Sequence, residues 1–169
     1  MRTIGLAVSA TLLLCGCASY YGVAQQREVQ RPPFPLAEYA ELSRRSGHGA
    51  VHGQVIMRTQ FGPRFGAGET VSLNPVTSYS TFWYENRIVA DRRLAAPDPR
   101  LDAHIIETTA DGSGAFQFER VPAGDYYLVS NVRWSEPGHY VGTISTRQRL
   151  IVERVTVANG GNLRHILTN

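Results

Sequence analysis

The chain has no lysine: all 17 of its basic residues are arginine. That excludes a Schiff-base lysine, a P-loop lysine and a lysine–asparagine isopeptide crosslink. Cysteine is nearly as scarce. Its two copies, Cys15 and Cys17, fall in the first seventeen positions, so the body of the protein holds no disulfide and depends on its core alone. Charged residues are few, at 18%, and the formal charge of +3 is too small to indicate a nucleic-acid partner. Long apolar runs are missing too. The one candidate, Ile4 to Leu14, is shorter than the roughly 20 residues a spanning helix needs. There is no H-E-x-x-H, no Gly-x-Ser-x-Gly elbow and no assignable nucleophile–base pair, so no catalytic residue, cofactor or metal ligand set is expected.

What is present begins with an address. Residues 1–16 combine Arg2, a short apolar stretch and small residues, as a signal peptide does. Leu14-Cys15-Gly16-Cys17 resembles the bacterial lipobox. The resemblance implies cleavage after Gly16 and lipidation of Cys17, with three acyl chains giving stable anchoring where one would be marginal. Ala18 at the second position of the processed chain implies the outer membrane, facing the periplasm. Residues 17–47 are expected to be a tether, with Arg31-Pro32-Pro33-Phe34-Pro35 extended as a stiff spacer and a short helix from Leu36 to Arg45.

From Ala50 the hydrophobic period becomes two. Val51, Gly53, Val55 and Met57 alternate with polar neighbours, as do Val71 and Leu73, Phe116 and Phe118, and Tyr126, Leu128, Val132 and Trp134. Turns are marked by Asp111-Gly112-Ser113-Gly114, Pro122-Ala123-Gly124, Glu136-Pro137-Gly138 and Asn159-Gly160-Gly161. About seven short strands with regular turns and no βαβ spacing predict an all-β antiparallel sandwich over residues 48–169. The parity slip between Val152 and Val155 predicts a bulge near Glu153-Arg154. Residues 77–102 break the pattern and read as an insertion: a short helix capped by Ser78, with Tyr79, Phe82 and Trp83 on one face, followed by a proline-rich loop.

The stretch Thr109-x-Asp111-x-x-Gly114-x-Phe116-x-Phe118-x-x-Val121-Pro122-x-Gly124-x-Tyr126 resembles the carboxypeptidase regulatory-like domain, a transthyretin-like sandwich. Ala67-Gly68-x-x-Val71-x-Leu73-x-Pro75-x-Thr77-x-Tyr79-x-x-x-Trp83 resembles a bacterial subgroup of it. The resemblance implies the fold over roughly residues 50–167 and a non-catalytic accessory role. Its residues are turn glycines and core aromatics, which say little of a ligand. Intradiol dioxygenases have a related sandwich but hold iron with an H-x-H pair that this chain lacks.

The remaining lead is the aromatic group of the insertion. Trp83 and Tyr84, with Arg87, Arg92 and Arg93 close behind, are the residue types that anchor interfaces and stack on sugars. They form the expected interaction surface. The expected role is a lipid-anchored binding or structural accessory of the cell envelope, meeting an envelope protein or a glycan. The alternative is a metal-dependent enzyme, dioxygenase-like or hydrolytic, whose histidines and tyrosines converge only in three dimensions.

Overall fold

The computed structural model describes residues 28–169. Cys17, Gly16 and the rest of the expected signal and lipid site lie outside the described residues. The chain forms a β-sandwich of eight strands, where the alternating pattern predicts about seven. One sheet is centred on β1 (Gly47–Thr59), which pairs with β2 (Gly62–Phe65) and β5 (Ala115–Pro122) antiparallel and with β8 (Asn162–Thr168) parallel. The other runs β4 (Ile106–Thr109), β3 (Thr70–Pro75), β6 (Gly124–Pro137) and β7 (Ile144–Val157), all antiparallel.

Alternation decides which side chains meet between the sheets. Val51, Val55, Met57, Val71, Leu73, Phe116, Phe118, Leu128, Val132 and Leu167 are all buried in one core. The turn signals do structural work. Asp111 Oδ1 accepts from the Ser113 and Ala115 amides and from the Ser113 hydroxyl, closing the β4–β5 turn. These bonds hold the Asp111 carboxyl below its usual range, the Ser113 hydroxyl being the largest cause. Gly114 takes φ +78° beneath the Val55 carbonyl, a conformation and a closeness that together favour glycine.

Two expectations need correction. The bulge is not at Glu153-Arg154: β7 pairs with β6 in continuous register from Ile144 to Val157. The parity of β7 does not slip. Ile151, Val155 and Val157 share the inward face with Glu153, whose Oε2 lies 2.7 Å from His165 Nε2 and whose Oε1 accepts from the Thr168 amide. A carboxylate with partners on the facing sheet can occupy an inward position. The register shifts are in β1 instead, around Gly47, Gly49 and Val51.

Residues 28–47 are not a spacer. Phe34 and Tyr39, the latter on α1 (Leu36–Ser43), are buried with Tyr79 and Leu101 in a second apolar cluster. Phe34 stacks on Tyr39 with ring centroids 4.5 Å apart, and Val29 bridges to Leu94. Finally, the proline-rich loop expected at the end of the insertion closes in a 3-10 turn over residues 99–104; the proline at its first position and the Asp98 cap favour the turn.

The insertion behaves as the sequence suggests, with a one-residue shift of its cap. Thr77, not Ser78, caps α2 (Ser78–Trp83), accepting from the Ser80 amide while the Ser80 hydroxyl accepts from the Thr77 amide. The helix, the following turn and the 3-10 segment cover the outer face of the β3–β6 pair.

Candidate functional site

On that covered face the chain builds a cleft of about 470 Å³ lined by Arg31, Trp83, Arg87, Asp91, Arg93 and the segment Leu94–Pro97. Behind it lies a smaller chamber of about 180 Å³, which shares Arg31, Trp83 and Pro97 with the cleft. The sheet supplies the chamber's floor through Ser72, Asn74 and Val129, and Tyr79, Leu101 and Ile105 form its apolar sides. Together the two spaces fall in the range of roughly 300–1,000 Å³ typical of small-molecule sites.

Local geometry explains the arrangement. Beyond Trp83 the backbone widens into a π-helical turn, Tyr84–Val89, closed by the Ala90 amide donating to the Glu85 carbonyl. Such turns are rare and are found often at functional sites. Asp91 then takes φ +46°, which ends the turn in a conformation that aspartate tolerates better than most residues. Arg87 reaches Asp91 across four residues, Nη1 to Oδ1 at 2.8 Å. Arg93 Nε meets Glu28 Oε1 at 2.7 Å. Arg31 Nε donates to the Ala95 carbonyl at 2.8 Å, and its guanidinium carbon sits 5.6 Å from the Tyr79 ring centre. Three guanidinium groups against two carboxylates leave the cleft one positive charge ahead.

The structure brings together Trp83, Arg87 and Arg93 from the expected surface and sends two members elsewhere. Tyr84 lies flat on Tyr127 of β6, centroids 4.8 Å apart and planes within 15°, so it fastens the insertion to the sheet. Trp83 meets the same Tyr127 edge-on at 5.9 Å while still lining the cleft. Arg92 donates to Asn86 Oδ1 and does not line the cleft. Sequence reading missed Arg31, Asp91 and Asn74. Arg31 sits in a proline-rich stretch, and Asn74 on a strand gives no signal until the insertion covers it.

Asp98 holds the 3-10 turn beside the chamber. It accepts from the Arg100 side chain and amide, and its own amide donates to the Tyr79 hydroxyl. The hydrogen bond from the Arg100 side chain, then that from its amide, lowers the Asp98 carboxyl from 3.8 to about 2. A carboxyl depressed in the folded state stabilises above its ordinary value, and that contribution is lost as pH falls toward the folded value. Protection of the Arg100 and Leu101 amides, measured against the intrinsic exchange rate at each pH, is therefore expected to fall between about pH 4 and pH 2, and Asp98→Asn should remove that pH step.

Among the described residues, no three His, Cys, Asp or Glu side chains gather as a metal site. The spacing His104-x-x-Glu107 does occur in the sequence. His104, however, packs on the Tyr39 ring at 4.6 Å and lies 3.5 Å from the Ser43 hydroxyl, with no third ligand. No helix of the described residues is long and apolar enough to cross a membrane.

A sandwich carrying an aromatic-and-arginine cleft has the form of a binding module. No family model and no curated protein matches the chain. Among solved structures it is similar to the crystal structure of a candidate carbohydrate binding protein from Pseudomonas aeruginosa, with a TM-score of 0.70 and 28% identity over 82% of this chain and 99% of that one. The likeness is consistent with a binding accessory and tilts away from an enzyme.

Proposed function

We propose that this protein is a non-catalytic, lipid-anchored accessory of the cell envelope that binds a glycan at the Trp83 cleft. The observation that carries the reading is the cleft itself. An indole is held edge-on by Tyr127 beside three guanidinium groups, each tethered by a carboxylate or a carbonyl. Sugars offer an apolar face to an aromatic ring and hydroxyls to planar hydrogen-bonding groups, so this wall suits them. The similar Pseudomonas aeruginosa structure, described by its candidate carbohydrate binding, supports the same reading.

The scaffold is, on this proposal, a carboxypeptidase regulatory-like sandwich. Its motif residues Asp111, Gly114, Phe116, Phe118 and Val121 serve turn and core, which leaves binding to the insertion. Anchoring rests on Leu14-Cys15-Gly16-Cys17. Globomycin treatment is expected to make the precursor accumulate, and Cys17→Ala to shift the protein out of the outer-membrane fraction. Unchanged fractionation of that variant would defeat the anchoring claim. The binding claim is tested on a glycan array with full-length protein in detergent. Retention of a glycan class, weakened at least about tenfold by Trp83→Ala, is the expected result; an empty array would contradict it.

A further inference from the structure

We propose that the site reads the end of its glycan, and that this end is an acidic sugar. A terminal uronic acid seats in the chamber between Tyr79 and Trp83, its carboxylate on Arg31 and a ring hydroxyl on Asn74. This rests on the glycan reading above.

The first observation is the shape of the site. The chamber shares the walls Arg31, Trp83 and Pro97 with the cleft and is floored by Ser72, Asn74 and Val129. On this proposal the chamber, closed by the β3–β6 pair, takes a terminal residue and the larger cleft takes the sugars joined to it.

The second observation is Asn74. It is 7% exposed, it lines the chamber, and its Oδ1 has no hydrogen-bond partner among the described residues. A buried amide oxygen left unpaired is costly and calls for an explanation. Beside the apolar sides formed by Tyr79, Leu101 and Ile105, a hydroxyl of the ligand is the donor that would complete it.

The third observation is the inequality of the three arginines. Arg87 and Arg93 each have a carboxylate partner, Asp91 and Glu28. Arg31 has none among the described residues. Its Nε is fixed on the Ala95 carbonyl, its head lies over Tyr79, and it lines both spaces. A guanidinium anchored through Nε presents its remaining N–H groups as a planar fork suited to a carboxylate. Neutral sugars would use only part of that capacity.

The test uses full-length protein in detergent and isothermal titration with three probes: a trisaccharide ending in glucuronic acid, its methyl ester, and the same backbone ending in glucose. The acid is expected to bind at least tenfold tighter than the ester or the glucose form. Arg31→Gln should bring the acid down to the affinity of the ester, and Arg31→Lys should recover only part of the gap. Asn74→Leu should weaken all three probes. Equal affinities for the three probes would overturn the inference and leave the glycan reading standing. A preference for the acid that survives Arg31→Gln would overturn the role given to Arg31. Failure of all three to bind, with other glycans retained on the array, would overturn the inference alone; failure on the array as well would overturn both. The ester comparison is made on the unaltered protein, so it does not depend on a variant folding.

Discussion

Replacing Gly53 by alanine is expected to destabilise the fold by about 3 kcal/mol or more and to lower the melting temperature by roughly 6–12 °C. A methyl group there would lie 1.7 Å from the His165 carbonyl oxygen and 2.9 Å from Phe116 Cζ. The carbonyl belongs to β8, whose parallel ladder with β1 runs from Ala50–Asn162 to Ile56–Thr168. Neither backbone can retreat without loosening that ladder, and β1 is also held by β5 on its other side. Gly112→Ala is the control, because nothing stands within 4 Å of a methyl at that exposed turn. It should change stability by no more than about 0.5 kcal/mol. Equal melting temperatures for the two variants would contradict the packing described for β1.

Tyr79→Ala is expected to separate the insertion from the sandwich. Tyr79 is buried, meets Phe34 edge-on at 5.5 Å and accepts a hydrogen bond from the Asp98 amide. Removing a buried aromatic of this kind costs about 3–5 kcal/mol. Here that cost falls on the cluster of Phe34, Tyr39, Tyr79 and Leu101, which is distinct from the core between the sheets. Hydrogen exchange should show residues 28–43 and 77–104 losing protection while β3, β6 and β7 keep theirs. Glycan binding should be lost with it, since Tyr79 is a wall of the chamber. Uniform loss of protection across the chain would show that the insertion is not a separable unit.

The parts of this structure that the sequence revealed share one property: a period set by neighbours two residues apart. Val51, Val55 and Met57 of β1, Val71 and Leu73 of β3, and Phe116 and Phe118 of β5 all point inward as their alternation requires. What stayed hidden depends on contacts distant along the chain. Proline around Phe34 speaks for an extended spacer, and only Tyr79 and Leu101, folded back from the insertion, make Phe34 a core residue. Glu153 looked like a break in β7 because its partners, His165 and the Thr168 amide, come from the last strand. The candidate site divides the same way. Trp83, Arg87 and Arg93 were legible as an aromatic–arginine group, whereas Tyr84 proved to be a fastening against Tyr127. Arg31 and Asn74 are brought to the site by the bridge of Val29 to Leu94 and by the covering of β3, neither of which leaves a local trace.

The sandwich offers a second surface on which a ligand could sit. The uncovered outer face of β1, β5 and β8 carries His52, Gln54, Gln117, Asn162 and Arg164 around a space of about 700 Å³. It has polar groups, and its one phenyl ring, Phe116, is buried in the core, so it lacks the indole of the cleft. The most direct measurement is an NMR titration of the isotope-labelled protein in detergent with the glycan selected on the array. The cleft account predicts that the Trp83 indole and the amides of Arg31, Arg87 and Arg93 shift together and saturably, with His52, Gln54 and Arg164 unmoved. Shifts confined to His52, Gln54, Gln117 and Arg164, with Trp83 silent, would contradict it.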